Sequence, residues 1–157
     1  MEIERKFLLA SLPGGASQYE SSEIEQAYIS VDPTIRLRRR NDNYYLTVKK
    51  NGLLAREEME LSITKSQFDH LWKKIETNVI HKTRFLVPLQ GGLTAEADVY
   101  HGVLSGLMTV EVEFESIEQA KQFNPPDWFG ADVSDDPRYS NSSLAMDGMR
   151  LINKLCN

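Results

Sequence analysis

The amino-terminal residues place three charged side chains at every second position: Glu2, Glu4 and Lys6. In an extended strand, alternate side chains point to the same face, so two carboxylates and one ammonium group would stand in one row. Carboxylate oxygens are ligands for hard divalent cations, and a lysine ammonium group can hold a phosphate oxygen. Such a row could therefore bind a cation and an anion side by side.

Rows of the same kind recur along the chain, and most carry one sign of charge. Like charges on neighbouring positions destabilise a sheet, so this segregation indicates ligands that relieve the repulsion: cations for the carboxylates and an anion for the basic groups. The alternative is an antiparallel sheet whose polar side faces water, which gives the same alternation. The rows are Arg36, Arg38 and Arg40; Lys49 with Thr47 and Tyr45; Arg56, Glu58 and Glu60; Lys82 and Arg84; Glu96 and Asp98; and Glu111 and Glu113.

Short strand-like segments carry these rows, because most are β-branched or aromatic at alternate positions and each ends at a turn signal. Three other segments have helical spacing. The first begins at a capping Thr64 and continues to residue 77, the second begins at Ser116 and stops before Pro125, and the third extends from about Ser142 to Leu155.

Three tight turns predict which rows face each other. All three place a charged face against a charged face. The facing pairs are Thr47–Arg56 and Tyr45–Glu58 across Asn51-Gly52, Lys49–Arg36 and Thr47–Arg38 across Asp42-Asn43, and Arg84–Asp98 across residues 90–92.

The facing rows predict an α+β fold: an eight-stranded antiparallel closed β-barrel with a charged lumen, packed on its apolar outer side by about three helices. Closure also removes the exposed edges that a long sheet would otherwise present. A chain of 157 residues has about the length of one domain, so a single domain over residues 1–157 is expected.

Composition excludes several classes of protein. The formal net charge of −5 argues against a polycation built to bind nucleic acid, so any anion site must be local. Cys156 is the only cysteine, which excludes an internal disulfide and a Cys/His zinc site. The chain has no signal-peptide core and no apolar stretch near the roughly 20 residues of a membrane span. We expect a soluble cytoplasmic protein without membrane or nucleic-acid partners, either a monomer or a homodimer.

The ordered series of charged motifs resembles the CYTH family, the triphosphate tunnel metalloenzymes. The hallmark of that family, Glu-x-Glu-x-Lys at the amino terminus, matches residues 2–6. The segment DPRYSNSSLA resembles the family's closing segment, so the match spans essentially the whole chain. The other matching motifs, in the family's order, are Arg36-Leu37-Arg38, Leu46-Thr47-Val48-Lys49, residues 56–60, Lys82-Thr83-Arg84, Asp98 and Glu111-Val112-Glu113.

The resemblance implies a tunnel that binds a triphosphate and two divalent ions, Mg²⁺ or Mn²⁺. It implies that the metal ligands are Glu2, Glu4, Glu58, Glu60, Asp98, Glu111 and Glu113, with Glu60 and Asp98 completing or orienting the second metal. The implied phosphate-binding residues are Lys6, Arg36, Arg38, Lys49, Arg56 and Arg84. Family members often carry a lysine near the position of Ser142 or Ser143, and Arg138 could substitute for it here; an exposed arginine on a surface loop is the alternative.

The implied reaction is attack of water on a terminal phosphorus, with Lys82 as the activator of that water. An amine crowded by Arg84 could have a lowered pKa, although an ordinary phosphate-binding lysine is the alternative. Inorganic tripolyphosphate, cleaved to pyrophosphate and phosphate, is the economical substrate, with nucleoside triphosphates slower. Two other functions stay open: an adenylate cyclase of the class IV type, and a non-catalytic polyphosphate-binding module. Several inward carboxylates favour the enzyme, because they are costly unless metals bind.

Overall fold

The computed structural model describes residues 1–50 and 55–147, and within them an antiparallel β-sheet dominates. Two short helices, α1 (Lys65–Trp72) and α2 (Ile117–Gln122), follow β6 and β9, and residues 141–147 are also helical. The strands are β1 (Glu2–Leu8), β2 (Glu20–Val31), β3 (Thr34–Arg40), β4 (Asn43–Lys49), β5 (Ala55–Arg56), β6 (Glu58–Ile63), β7 (Ile80–Pro88), β8 (Thr94–Tyr100) and β9 (Met108–Glu113).

The sheet is curled, and its strands follow the order β5-β1-β9-β8-β7-β2-β3-β4-β6 among the described residues. The prediction of an antiparallel sheet is confirmed, and the two-residue β5 adds a ninth strand to the expected eight. The hydrogen-bonded order has two ends, β5 and β6, where a closed barrel would have none. Those two ends are consecutive in the chain and separated by Glu57 alone.

One predicted register is confirmed, and one is wrong by two residues. Arg84 lies opposite Asp98 in the β7–β8 pair, as the loop at residues 90–92 predicts. In the β3–β4 pair, Thr47 faces Arg36 instead of Arg38. The cause is Asn41, whose φ of 53° lets the turn begin one residue earlier than predicted. Asparagine tolerates this left-handed conformation better than most residues.

The predicted β4–β6 register is wrong by four residues. Thr47 faces Glu60 instead of Arg56, and Lys49 faces Glu58. The turn at Asn51-Gly52 lies outside the described residues, but the strand after it explains the shift, because β5 pairs with β1 and only β6 pairs with β4. Both errors are even numbers of residues, and side chains alternate with a period of two. The predicted faces are therefore correct although the predicted partners are not.

Helices α1 and α2 begin where the sequence predicts. The Thr64 hydroxyl accepts a hydrogen bond from the Gln67 backbone N–H, and the Gln67 side chain accepts one from the Thr64 backbone N–H. This capping box starts α1, which packs Phe68 against the ring of Tyr44, with 4.9 Å between ring centroids. In α2, the Ser116 hydroxyl accepts a hydrogen bond from the Gln119 backbone N–H.

The third helical segment packs into the core at one end of the sheet. Leu144 and Ala145 are buried with Tyr28, Ile80 and Tyr100. The predicted helix continues to about Leu155, but residues 148–157 lie outside the described part of the chain. A second apolar cluster, which includes Phe7, Val110 and Val112, lies on the outer face of β1 and β9. Because these apolar positions alternate with Glu4, Lys6 and Glu111, those charged residues face inward, whereas Arg5 lies on the outer face beside Phe7. Among the described residues, no helix has the length and apolar character to span a bilayer.

Candidate active site

The inner face of the sheet bounds two adjoining cavities of about 440 and 290 Å³. Both are lined by Glu4, Lys49, Glu111 and Asn141, so they form one continuous lumen. The larger cavity contains most of the predicted site. Its charged lining residues are Glu2, Glu4, Glu58, Glu60, Glu96, Glu111 and Glu113, together with Arg36, Arg38, Arg40, Lys49 and Arg84.

The signs of charge are segregated by strand around the larger cavity. The acidic residues project from β1, β6, β8 and β9, whereas the basic residues project from β3, β4 and β7. The two sets meet where Lys49 Nζ lies 3.3 Å from Glu2 Oε1, and where Arg36 Nη2 lies 3.8 Å from Glu60 Oε2. An acidic wall and a basic wall therefore share one cavity.

The neighbouring basic side chains relieve only part of the repulsion on the acidic wall. A hydrogen bond to Glu2, together with partial burial, raises the pKa of Glu58 to about 7. Burial and the carboxylates of Glu2, Glu96 and Glu111 raise the pKa of Glu113. Each raised pKa means that another negative charge is unfavourable there, so a bound cation would be stabilising.

Glu111 behaves differently, although it lies on the same wall. Burial alone would raise its pKa, but Lys6 and Arg84 hold the pKa well below its usual range. Lys6 Nζ lies 3.5 Å from Glu111 Oε1 and donates a hydrogen bond of 2.6 Å to the carbonyl oxygen of Tyr139. Glu111 therefore remains a carboxylate at the junction of the two walls.

The basic wall concentrates positive charge on side chains that are largely shielded from water. Burial, with repulsion from Arg36 and Arg84, lowers the pKa of Arg38 to about 9. Arg36 is almost completely buried, and its Nη2 donates a hydrogen bond of 3.2 Å to the Thr47 hydroxyl. A guanidinium group whose pKa is lowered by other guanidinium groups lies in a strongly positive potential. Such a potential attracts anions.

The structure does not bring Lys82 or Asp98 to the surface of either cavity. Both side chains are fully buried, and Lys82 Nζ lies 2.8 Å from Asp98 Oδ2 in an ion pair whose angles do not make a hydrogen bond. Burial, with repulsion from Arg84 and Arg38, lowers the pKa of Lys82 to about 7 against the attraction of Asp98. The expected lowering of the pKa is present, but its main cause is burial instead of crowding by Arg84.

Asp98 is engaged with cationic side chains on both oxygens. Arg84 donates hydrogen bonds of 2.8 and 2.9 Å to the two oxygens, in addition to the Lys82 contact. Burial would raise the pKa of Asp98, but Arg84 and Lys82 lower it to about 2. Arg84 also contacts Glu96, which does line the larger cavity. In this arrangement Asp98 is the counterion of Arg84, and its role toward a metal stays a prediction.

Two further predicted residues lie away from the cavities or are only partly described. Arg138 lines neither cavity, and its Nε donates a hydrogen bond of 2.9 Å to Asp136 Oδ1. The closing segment does reach the lumen, because Ser140, Asn141 and Ser142 line the smaller cavity. Arg56 pairs through its backbone with Glu2, and its side chain is outside what the structure describes.

Sequence reasoning left several lumen residues out of the candidate site. Glu96 and Arg40 could have been predicted, because each lies two residues from a candidate residue of its own strand and so shares its face. Those neighbours are Asp98 and Arg38. Asn141 offered no signal, since the closing segment has no strand period. Gln26, which contacts Arg38 but lines neither cavity, offered none either, because a neutral amide does not stand out in a search for charged rows.

The carboxylates of the acidic wall suit a hard divalent ion such as Mg²⁺ or Mn²⁺, which prefers oxygen ligands. The raised pKa values of Glu58 and Glu113 fit the same interpretation. No group of three Asp, Glu, His or Cys side chains within residues 1–50 and 55–147 is already arranged to hold a metal ion. The donor chemistry fits, and ion binding would have to draw these side chains together.

Comparisons with known proteins identify the family that the chain belongs to and the proteins that it is similar to. The family model for the CYTH domain matches residues 1–137. An inorganic triphosphatase of Nitrosomonas europaea is 43% identical over 149 residues, which cover 92% of this chain and 97% of that protein. An inorganic triphosphatase of Acetivibrio thermocellus is 34% identical over 149 residues, covering 91% and 92%. The crystal structure of the inorganic triphosphatase NE1496 superposes with a TM-score of 0.69 at 40% identity, covering 93% and 95%.

Proposed function

The chain belongs to the CYTH domain family, and we propose that it hydrolyses inorganic tripolyphosphate to pyrophosphate and phosphate within its lumen. The observation that carries the proposal is the opposition of an acidic wall and a basic wall across one cavity. A phosphate-binding module needs the basic wall alone. The acidic wall is costly without cations, so its presence supports a metal-dependent enzyme. Two relatives named inorganic triphosphatase support the choice of substrate.

We propose that the curled sheet closes into a tunnel when substrate is bound. The end strands β5 and β6 are joined by one residue, which spans at most about 3.6 Å along an extended chain. Side chains already cross the gap between β1 and β6, because Glu2 and Glu58 share a hydrogen bond. The Lys49–Glu2 ion pair also links β4 to β1. These contacts already hold the two ends of the sheet together through side chains, which supports closure.

The basic wall would hold the triphosphate. Arg36, Arg38 and Arg84 present guanidinium groups that can contact phosphate oxygens in a bidentate manner, and Lys6 and Lys49 add point charges. Several of these cations now contact a protein carboxylate or carbonyl oxygen. A phosphate group would compete for them, so binding exchanges internal contacts for contacts with substrate.

The acidic wall would hold Mg²⁺ or Mn²⁺ through Glu2, Glu4, Glu58, Glu60, Glu111 and Glu113. The chemistry supplied by the metal would be neutralisation of charge on the phosphate oxygens. The protein itself orients the triphosphate between its walls and keeps the terminal phosphorus accessible to water in line with the bridging oxygen. The bond from the water oxygen to phosphorus forms, the bond to the bridging oxygen breaks, pyrophosphate leaves, and the water loses a proton.

Lys82 remains our candidate for receiving that proton. Its pKa of about 7 suits a general base near neutral pH. Its burial behind Arg84 means that the proton would reach it by a local movement of the side chain or through an intervening group. Arg138 is held by Asp136, so we propose that it stabilises the closing segment and contributes less to phosphate binding than the lumen residues do.

A phosphate-release screen tests the proposed function. Purified protein is incubated with tripolyphosphate, ATP, GTP, thiamine triphosphate or pyrophosphate, each with Mg²⁺, with Mn²⁺ and with a chelator. We expect the highest kcat/KM for tripolyphosphate with a divalent ion and none in chelator. Formation of cyclic AMP from ATP at a comparable rate would instead assign a cyclase. Absence of phosphate release from tripolyphosphate under every condition would overturn the proposal.

A further inference from the structure

Gln26 lies inside the β-sheet, on the strand next to the basic wall. It faces Arg38 across the β2–β3 pair and Ile80 across the β2–β7 pair. Its side chain is fully buried, with 0% of its surface exposed, and it lines neither cavity. A fully buried amide next to an arginine of the lumen is an unusual choice of residue, because glutamine is mostly found at the surface.

The amide of Gln26 makes one strong contact and leaves one group unsatisfied. Its Oε1 accepts a hydrogen bond of 2.8 Å from Arg38 Nε. Its Nε2 has no hydrogen-bond partner among the described residues. The orientation of the amide is determined by chemistry, since the reversed amide would place its own NH₂ donors against the Nε–H donor of Arg38.

The stability of the fold does not account for Gln26. A buried N–H group without a partner costs about 1–3 kcal/mol, whereas methionine would fill a similar volume without that penalty. The benefit must therefore lie in the contact with Arg38. That arginine lines the larger cavity and is partly exposed.

Comparison of Arg38 with Arg84 shows what a neutral partner achieves. Arg84 is bound on Nε and Nη2 by Asp98 and on Nη1 by Glu96, so carboxylates compensate its charge. Arg38 is bound on Nε by an uncharged amide, which fixes its direction without compensating its charge. When a guanidinium group is held by its Nε–H, its two Nη groups remain available to donate hydrogen bonds to a second, planar ligand.

We propose that Gln26 is a positioning residue for phosphate binding: its amide oxygen holds the Nε edge of Arg38, so that the Nη groups and the full positive charge face the substrate. This inference rests on the proposed function, because it identifies the substrate group as a phosphate of tripolyphosphate. Gln26 acts only through Arg38 and does not contact substrate.

A double-mutant cycle tests whether Gln26 acts through Arg38. The variants are Gln26→Met, Arg38→Met and the double variant, with Gln90→Met as a control on an exposed turn. We expect Gln26→Met to raise the KM for tripolyphosphate roughly tenfold, about the effect of losing one hydrogen bond to a charged group, with a smaller loss of kcat. In the absence of Arg38, removal of Gln26 should change neither constant. Additive losses in the double variant would overturn the proposal.

Gln26→Glu separates position from charge. A carboxylate of the same length keeps the acceptor for Arg38 Nε but compensates the positive charge. We expect this variant to raise KM as Gln26→Met does, while preserving the hydrogen bond. A KM equal to that of the unmodified protein would contradict the role assigned to the neutral amide. Because Gln26→Glu retains the size and the acceptor of the original residue, it also serves if Gln26→Met does not fold.

Hydrogen exchange of the arginine Nε–H groups, measured by ¹⁵N NMR, gives a readout independent of activity. The Arg38 signal is assigned by its loss in Arg38→Met. We expect slow exchange at Arg38 in the unmodified protein and in Gln26→Glu, fast exchange in Gln26→Met, and no change at Arg84. Equal exchange at Arg38 in all variants would refute the positioning contact. If the unmodified protein does not cleave tripolyphosphate, the proposed function fails, while this measurement still decides how Arg38 is held.

Discussion

Arg84 and Asp98 face each other across the β7–β8 pair and are joined by two parallel hydrogen bonds of 2.8 and 2.9 Å. Asp98 is fully buried, and Lys82 contacts one of the same oxygens. This cluster places one negative charge among two positive ones behind the wall of the lumen. It therefore orients Arg84 from within the sheet.

The Arg84–Asp98 pair should make stability depend on pH in strong acid. Its native pKa of about 2 lies below the ordinary value of 3.8, so the stabilisation is complete above about pH 4 and is lost as pH falls through 2. The shift corresponds to a contribution on the order of 2 kcal/mol. Urea unfolding of Asp98→Asn between pH 2 and 7 should show a flatter profile below pH 4 than the unmodified protein.

Asp98→Asn should also be less stable at neutral pH, by roughly 3–5 kcal/mol, because Arg84 and Lys82 lose their buried counterion. Asp42→Asn is the control, since the Asp42 side chain is 99% exposed. An acid profile of Asp98→Asn that parallels the unmodified protein down to pH 2 would show that Asp98 is not the titrating group.

The hydrogen bond between Glu58 and Glu2 predicts a second pH effect, of opposite sign. The raised pKa of Glu58, about 7, means that the folded protein binds a proton more tightly than the unfolded chain does. Stability should therefore fall as pH rises from about 4.5 through 7. Glu58→Gln should raise the Tm of the metal-free protein at pH 8 by about 2–4 °C, the shift for about 1 kcal/mol after allowance for solvent screening.

Glu57→Gln is the matched control, because Glu57 is the adjacent glutamate and is exposed. The measurement is thermal unfolding in chelator at pH 5 and pH 8. A Glu58→Gln variant that is no more stable than Glu57→Gln at pH 8 would show that the two carboxyl groups do not repel each other in solution.

Glu4→Gln should abolish metal-dependent turnover and leave the fold intact. Glu4 lines both cavities, and the amide has nearly the same shape but no charge to offer a cation. We expect kcat/KM for tripolyphosphate to fall on the order of 100-fold or more at moderate Mg²⁺. Glu25→Gln, an exposed residue on β2, should leave turnover unchanged. Normal hydrolysis by Glu4→Gln at saturating Mg²⁺ would remove Glu4 from the site.

Lys82→Arg should separate proton transfer from binding. Arginine keeps the charge but does not lose a proton near neutral pH. We expect this variant to lose most of its kcat and the rise of rate through pH 7, while retaining its affinity for tripolyphosphate. Lys82→Met should be measured beside it, because the site is fully buried and arginine is bulkier. A raised KM with an unchanged pH profile would show that Lys82 only supports phosphate binding.

Ligand binding should stabilise the protein strongly. The two walls repel within themselves, so metal and tripolyphosphate together should raise Tm more than the sum of the two separate shifts. Saturation at 100 times Kd corresponds to about 2.7 kcal/mol. Differential scanning calorimetry with Mg²⁺ alone, tripolyphosphate alone and both provides the measurement. Equal melting temperatures in all conditions would contradict a binding site in the lumen.

The sequence predicts the faces of the strands better than their partners. Side-chain alternation places Glu60 and Lys49 in the lumen whatever the register, so an error of two or four residues changes the neighbours but not the face. The left-handed Asn41 and the departure of β5 from the β4 hairpin have no signal in the charge pattern. Those two features decide the registers.

Burial within the charged face is also hidden from the sequence. Lys82 and Arg84 lie two residues apart and so share one face of β7. Arg84 contacts both Asp98 and Glu96 and lines the larger cavity, whereas Lys82 is fully buried against Asp98 and lines neither cavity. The period-two alternation of a strand predicts which face of the sheet a side chain occupies, but not how deeply that side chain is buried within the face. The contact between Gln26 and Arg38 is hidden for the same reason, since depth determines that a neutral residue touches the basic wall.

The insertion of β1 between β5 and β9 has a consequence for how the molecule is made. Glu4 pairs with Glu113 and Glu2 pairs with Arg56, so the first strand to leave the ribosome finds one of its partners only after more than two-thirds of the chain has been synthesised. Such distant pairing is slow, because the chain entropy of closing a long loop is lost before the contacts form. The basic strands β3 and β4 pair with each other locally, as β2 does with β3, and these three strands can assemble early. A nascent chain should therefore acquire its basic wall first and complete the acidic one last, which leaves it catalytically silent until synthesis of β9 is finished.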